Sequence, residues 1–197
     1  MTHVLSPYAV DIAALRSLVG SGDERRLHSL DLTDEDLLEE IDEVDESHLG
    51  WTADPVRSTL RGLVLGEEPD RRPAHLYGYC LEVLCRILPC STPLPSRAWT
   101  GIDFLLFMHV KAELQKAGSA FDPATLIRTG PPVPLPPAGE TRRIGHLEAE
   151  QVPEILADLD RIDEASIAPD VLSPIRQLHG WLRECARTGR GLVTYYH

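Results

Sequence analysis

The stretch that most limits how this chain can fold is residues 191–197, GLVTYYH. Its β-branched and aromatic residues suit a pleated strand. A strand needs a partner, because its backbone N–H and C=O groups must be hydrogen-bonded wherever they are buried. The other clearly extended segment is residues 3–10, at the opposite end of the sequence, while most of the chain between them is punctuated as helices. The simplest closure pairs the first and last segments in a small antiparallel or mixed sheet covered by helices. That predicts a helix-dominated α+β fold. At 197 residues the chain reads as one domain, 1–197, large enough to bury a core without a metal or disulfide staple.

Caps and spacing place the helices. Asp11 is positioned to cap a helix over 12–19, with Leu15, Leu18 and Val19 on one face; Gly20-Ser21-Gly22 stops it, and Asp23 caps a second with Leu27 and Leu30 inward. Thr33 opens an acidic helix with Leu37, Leu38, Ile41 and Val44 as its apolar stripe, and ten of the sixteen residues from Asp31 to Glu46 are acidic. Asp54-Pro55 starts the next helix and Gly66 ends it. Strongly apolar helices are predicted over 74–88, stopping at Pro89, and over 101–117. Residues 89–100 are Pro- and Ser-rich and read as irregular, and Thr125 to Arg128 as a short strand. Residues 129–139, with Pro131, Pro132, Pro134, Pro136 and Pro137, must be extended and read as a strap over the surface. Helix returns over 148–162. Ser173-Pro174 opens a last helix carrying Ile175, Leu178, Leu182 and Cys185 at helical spacing and ending at Gly189.

The chain carries 31 acidic and 19 basic residues, a net charge of −12. A field of that sign repels phosphate backbones and anionic lipid, so neither nucleic acid nor membrane is an expected partner. The longest unbroken apolar run, Phe104 to Met108, is far too short to span a bilayer. The first residues lack the basic and apolar regions of a secretion signal, and Cys80, Cys85, Cys90 and Cys185 do not form a secreted disulfide pattern in a chain of this size. These points predict a cytoplasmic location.

Several motifs occur in one order along the chain: Tyr8-Ala9-Val10-Asp11, Gly20-Ser21-Gly22-Asp23, Leu63-Val64-Leu65-Gly66-Glu67, Tyr77-Gly78-Tyr79-Cys80-Leu81-Glu82, Ile144-Gly145-His146-Leu147 and Gly191-Leu192-Val193. In these the chain resembles an uncharacterised family of unknown function common in streptomycetes and other actinobacteria. The resemblance implies no activity, cofactor or catalytic residue.

Candidate chemistry is sparse. His75, Tyr79, Glu82 and Arg86 fall on one stripe of the apolar helix over 74–88, where a base, a phenol, a carboxylate and a guanidinium could bind a small ligand or move protons. The ordinary reading of such a stripe is the solvated side of an amphipathic helix. His109 and Glu113, four residues apart, are a second pair; two ligands do not make a metal site, and no metal or cofactor is implied. Cys80, Cys85 and Cys90 are five residues apart, about 140° per step on a helix, so they cannot face one metal; buried thiols acting as small hydrophobes are the expected reading, with Cys90, after Pro89, open to exposure. In the acidic segment, Asp36, Glu39, Glu40 and Glu43 could dock a basic protein or peptide.

Two functions follow as expectations. One is a non-catalytic accessory or binding protein with an acidic surface for a basic protein or peptide. The other is a small enzyme or small-molecule sensor that uses the His/Tyr/Glu/Arg stripe.

Overall fold

A computed structural model describes residues 3–30, 55–67, 74–135 and 143–197, with the side chains of Pro55, Ala74 and His75 left aside. The expected pairing of the two extended segments is its centre. Strand β1 (His3–Val10) runs antiparallel to β5 (Gly191–Tyr196), with Leu5 opposite Tyr196 and Val10 opposite Gly191. On the far side of β1 lie β2 (Ser91–Pro93) and, against its first residues, β3 (Thr100–Ile102); on the far side of β5 lies β4 (Arg143–Leu147). All of these pairings are antiparallel.

Side chains alternate across this sheet and feed two cores. On one side Tyr8, Val10, Ile144, Val193 and Tyr195 pack against α1 (Ile12–Leu18), α3 (Pro55–Leu65) and α4 (Ala74–Ile87). On the other, Leu5, Ala9, Leu147, Leu192 and Tyr196 pack against α5 (Phe104–Lys116), α7 (Val152–Leu159) and α8 (Pro169–Thr188). Every residue of β5 is buried, because the strand has a neighbour on each edge and a helical layer on each face. That is why its sequence lacks the polar alternation of a half-exposed strand.

The caps act as predicted. The Asp11 carboxylate accepts from the Ala14 N–H, and Asp23 does the same for Arg25 and Arg26 at the start of α2 (Glu24–Ser29). Gly66 and Gly189 adopt the left-handed conformation beyond the ends of α3 and α8, at φ 73° and 65°. The irregular segment before β3 is pinned to α8 by indoles: Trp99 Nε1 donates to the Pro174 carbonyl at 3.1 Å and Trp181 Nε1 to the Pro95 carbonyl at 2.6 Å.

Some expectations are corrected. Residues 125–128 form a helical turn, α6 (Thr125–Arg128), instead of a strand. Pro123 pre-sets the backbone, and the Asp122 carboxylate and carbonyl accept from Ala124 N and Thr125 Oγ1 at 3.0 and 2.7 Å. The strand in this region is β4. Its outer edge is closed by the start of the strap, where Gly130 N donates to the Ile144 carbonyl at 3.0 Å and His146 N to Thr129 Oγ1 at 2.6 Å. The last helix begins at Pro169, five residues before Pro174, which sits inside it. Helix α5 starts at Phe104 behind an Asp103 cap, since residues 100–102 belong to β3, and α7 is shorter than the 148–162 expected. The part of the strap over 129–135 packs down: Pro132 and Val133 are buried and the Pro132 carbonyl accepts from Arg16 Nε at 2.8 Å.

The turn α6 lies directly on β4 at Gly145, where a Cβ would collide with the carbonyl group of Leu126. Gly145→Ala is predicted to lower stability by about 3 kcal/mol through overpacking. The melting temperature should then fall by roughly 6–12 °C, read by calorimetry.

Candidate functional site

The stripe on α4 does not face water. Tyr79 is 5 % exposed and Glu82 only 2 %, whereas Arg86 reaches the surface; the His75 side chain lies outside the described residues. The solvated-face reading therefore fails for Tyr79 and Glu82. Glu82 can be buried because hydrogen-bond donors from both central strands come to it. The Tyr8 hydroxyl donates to Glu82 Oε1 at 3.2 Å, and His197 Nε2 lies 3.1 Å from each carboxylate oxygen. Arg86 Nε in turn donates to the Tyr8 oxygen at 3.3 Å. Beside this group the Cys85 sulfur lies 3.4 Å from the Tyr195 hydroxyl, and the rings of Tyr8 and Tyr195 meet edge to face at 5.8 Å.

The electrostatics keep protons in place here. Burial, then the Glu82 charge, pushes the Tyr8 phenol well above its ordinary value, and burial does the same to Tyr195. Burial pushes the Cys85 thiol up to about 12, against the opposing hydrogen bond from Tyr195. Neither phenol nor thiol is set up as a nucleophile at neutral pH. What the cluster offers instead is a buried carboxylate orienting a half-buried imidazole, His197, beside a guanidinium.

The second pair separates. Glu113 Oε2 accepts from the Ala168 N–H at 2.8 Å, just ahead of α8, and also pairs with Lys116. It is a structural brace between α5 and α8. His109 is exposed and lines an open groove of about 660 Å³ where α5 meets the first turns of α8. Among the described residues no group of three or more His, Cys, Asp or Glu is arranged to hold a metal ion. Cys80, Cys85 and Cys185 are buried, as read from their spacing and surroundings, while Cys90 is partly exposed. Asp36, Glu39, Glu40 and Glu43 lie outside the described residues.

The groove was not foreseen. Its floor includes Ile102, Leu106 and Pro174, and its rim holds Asp103, Asp170 and Leu105. Leu105 is 61 % exposed, and Met108 one turn along is 47 % exposed. Ala112 continues the same exposed row, while Phe107, Val110 and Leu114 fill the buried side of the helix. The signal was present in the run Phe104 to Met108: at 100° per residue, five consecutive apolar positions wrap around a helix and cannot all face one core.

Fold and site together define a small antiparallel sheet between two helical layers, with a buried carboxylate network on one side and an open apolar groove on the other. Over residues 1–197 the chain matches a domain of unknown function (DUF7691), and it belongs to that family. No curated protein and no solved structure matches it. Among the described residues no helix is long and apolar enough to cross a membrane.

Two measurements check this site. Glu82→Ala removes the acceptor shared by Tyr8 and His197 and should cost roughly 3 kcal/mol, as expected when a buried charged partner is deleted; Glu82→Gln, which retains an acceptor oxygen, should cost less in the same denaturant titration. Alkylation of the native protein with iodoacetamide, mapped by mass spectrometry, should label Cys90 first and spare Cys80, Cys85 and Cys185 until the protein unfolds.

Proposed function

We propose that this domain is a binding module, and that the groove between α5 and α8 takes an apolar, positively charged segment of a partner protein. One observation carries the reading: Leu105 and Met108, the large hydrophobic side chains left exposed among the described residues, stand on one helix face beside a groove. Single exposed hydrophobics are ordinary, but a helical row of them beside a concavity is the form of a docking site. Covering what remains exposed of each side chain contributes roughly 1 kcal/mol, so the row gives modest, reversible affinity. Among the described residues the charged groups lining the groove are the carboxylates Asp103 and Asp170, with no lysine or arginine among them, and the whole chain carries −12. Positive charge on the partner is therefore complementary, and negative charge is repelled.

The test uses a designed peptide with leucines at helical spacing and lysines between them, labelled for fluorescence anisotropy. Binding should weaken as salt rises, and Leu105→Gln with Met108→Gln together, which removes the apolar row without changing charge, should reduce affinity at least tenfold, about 1.4 kcal/mol. The same peptide with glutamates for lysines should not bind. Unchanged binding to the double variant would mean that diffuse charge, and not the groove, attracts the peptide. A stable dimer of this chain that the double variant breaks would also defeat the reading, since a second copy would then be the occupant.

A second reading is favoured by the contrast between Glu82, 2 % exposed, and the His197 side chain, 31 % exposed. A buried carboxylate that orients an accessible imidazole is the arrangement of a general base. It supports a small enzyme or small-molecule sensor using Tyr79, Glu82 and Arg86. Native mass spectrometry against a denatured control should then show a small molecule that wild type retains and Glu82→Gln loses; a bare mass in both contradicts it.

A further inference from the structure

The α5 helix begins beside a feature of opposite character. The Phe104 ring carries two guanidiniums, with Arg128 Cζ 5.3 Å and Arg143 Cζ 6.0 Å from its centroid. Arg128 comes from the end of α6 and Arg143 from the start of β4, so the close contact of that turn with that strand brings the two charges to one place. Both side chains belong to exposed residues, and among the described residues neither makes an ion pair or a hydrogen bond. The nearby carboxylates are committed elsewhere: Asp103 accepts from the Leu106 N–H at 3.2 Å, and Asp122 is paired with Lys111 at 2.5 Å. Two positive charges thus share one ring in a protein of net charge −12, and among the described residues Arg128 is offset only at longer range, by the Asp122 carboxylate that Lys111 already holds. Like charges held together repel unless something between them is negative.

We propose that Arg128 and Arg143 form a binding site for a phosphoryl group on a small molecule. A guanidinium stacked on an aromatic face keeps its planar edge of N–H donors free, and the ring holds that plane in orientation. Phe104 has two guanidiniums over its ring at once, at 5.3 and 6.0 Å. Their combined charge matches a phosphoryl dianion, and each can present a two-pronged donor edge to its oxygens. The ring packs against Phe107, whose centroid lies 6.3 Å away, and Phe107 against Tyr196 at 5.8 Å. The site is independent of the groove, which uses other residues of α5 and takes the opposite charge.

Isothermal titration of the full chain with inorganic pyrophosphate, at constant ionic strength, tests the proposal. Saturable binding should appear for wild type. Arg128→Gln and Arg143→Gln should each weaken it at least about fivefold, and the double variant should abolish it. Phe104→Leu, which keeps an apolar side chain but removes the stacking surface, should weaken it several-fold. The arginine variants should melt with wild type, because both residues are exposed. No binding beyond that of matched sodium chloride would overturn the proposal, as would equal binding by the double variant. Malonate bound as tightly as pyrophosphate would show a general dianion patch and overturn the phosphoryl assignment.

Discussion

The antiparallel ladder between β1 and β5 is the interaction on which everything else depends. It joins residues nearly two hundred positions apart, with Leu5 against Tyr196 and Val10 against Gly191. Such a pairing carries a large loop-closure cost, and the ladder alone does not offset it. The offset comes from burial on both faces. Tyr8, Val10, Val193 and Tyr195 enter one core, and Leu5, Ala9, Leu192 and Tyr196 the other. Without the ladder the two helical layers have no common wall, and the Glu82 network loses Tyr8 and His197 together.

That arrangement also explains where chemistry can and cannot sit. The face of α4 toward the sheet is closed: the Cys85 thiol and the facing phenols of Tyr8 and Tyr195 are held protonated by burial, and the Glu82 carboxylate is satisfied by Tyr8 and His197. The network reads first as a polar latch that sets the register between helix and sheet. The opposite layer is open at its edge. There α5 is apolar on its inner side and on much of its outer side, and α8 stands far enough away at its first turns to leave a groove. The proposed partner surface is thus a consequence of a helix with more hydrophobic circumference than the core can cover.

Much of this architecture was legible in the sequence, for local reasons. The capping aspartates 11 and 23, the glycines 66 and 189, and the spacing of Ile175, Leu178, Leu182 and Cys185 each act within a few residues, so pattern and structure agree. The extended ends were legible because β-branched and aromatic runs have few alternatives. What failed depended on distant partners. Residues 143–147 carry a glycine in mid-strand, and only the close approach of α6 explains it. Thr125 to Arg128 has β-type composition, but an aspartate three residues earlier turns it into a helix. Pro174 looked like a helix start because prolines favour that position, yet Pro169 already holds it. Glu82 looked like a surface residue because its partners, Tyr8 and His197, are 74 and 115 positions away. The groove was hidden for a related reason: the length of the run from Phe104 speaks only to a membrane span, whereas its excess over the core lies in its circumference on a helix.

The central functional claim is that the outer face of α5 and the start of α8 receive an apolar, basic segment. The most direct test is a map of backbone amide chemical shifts in an isotopically labelled sample as the lysine–leucine peptide is added. The account predicts that shifts concentrate at Leu105, Met108, His109, Asp170 and Ser173, with the strand residues 191–196 unmoved. Shifts spread over acidic positions throughout the surface, with α5 no more affected than α7, would contradict it.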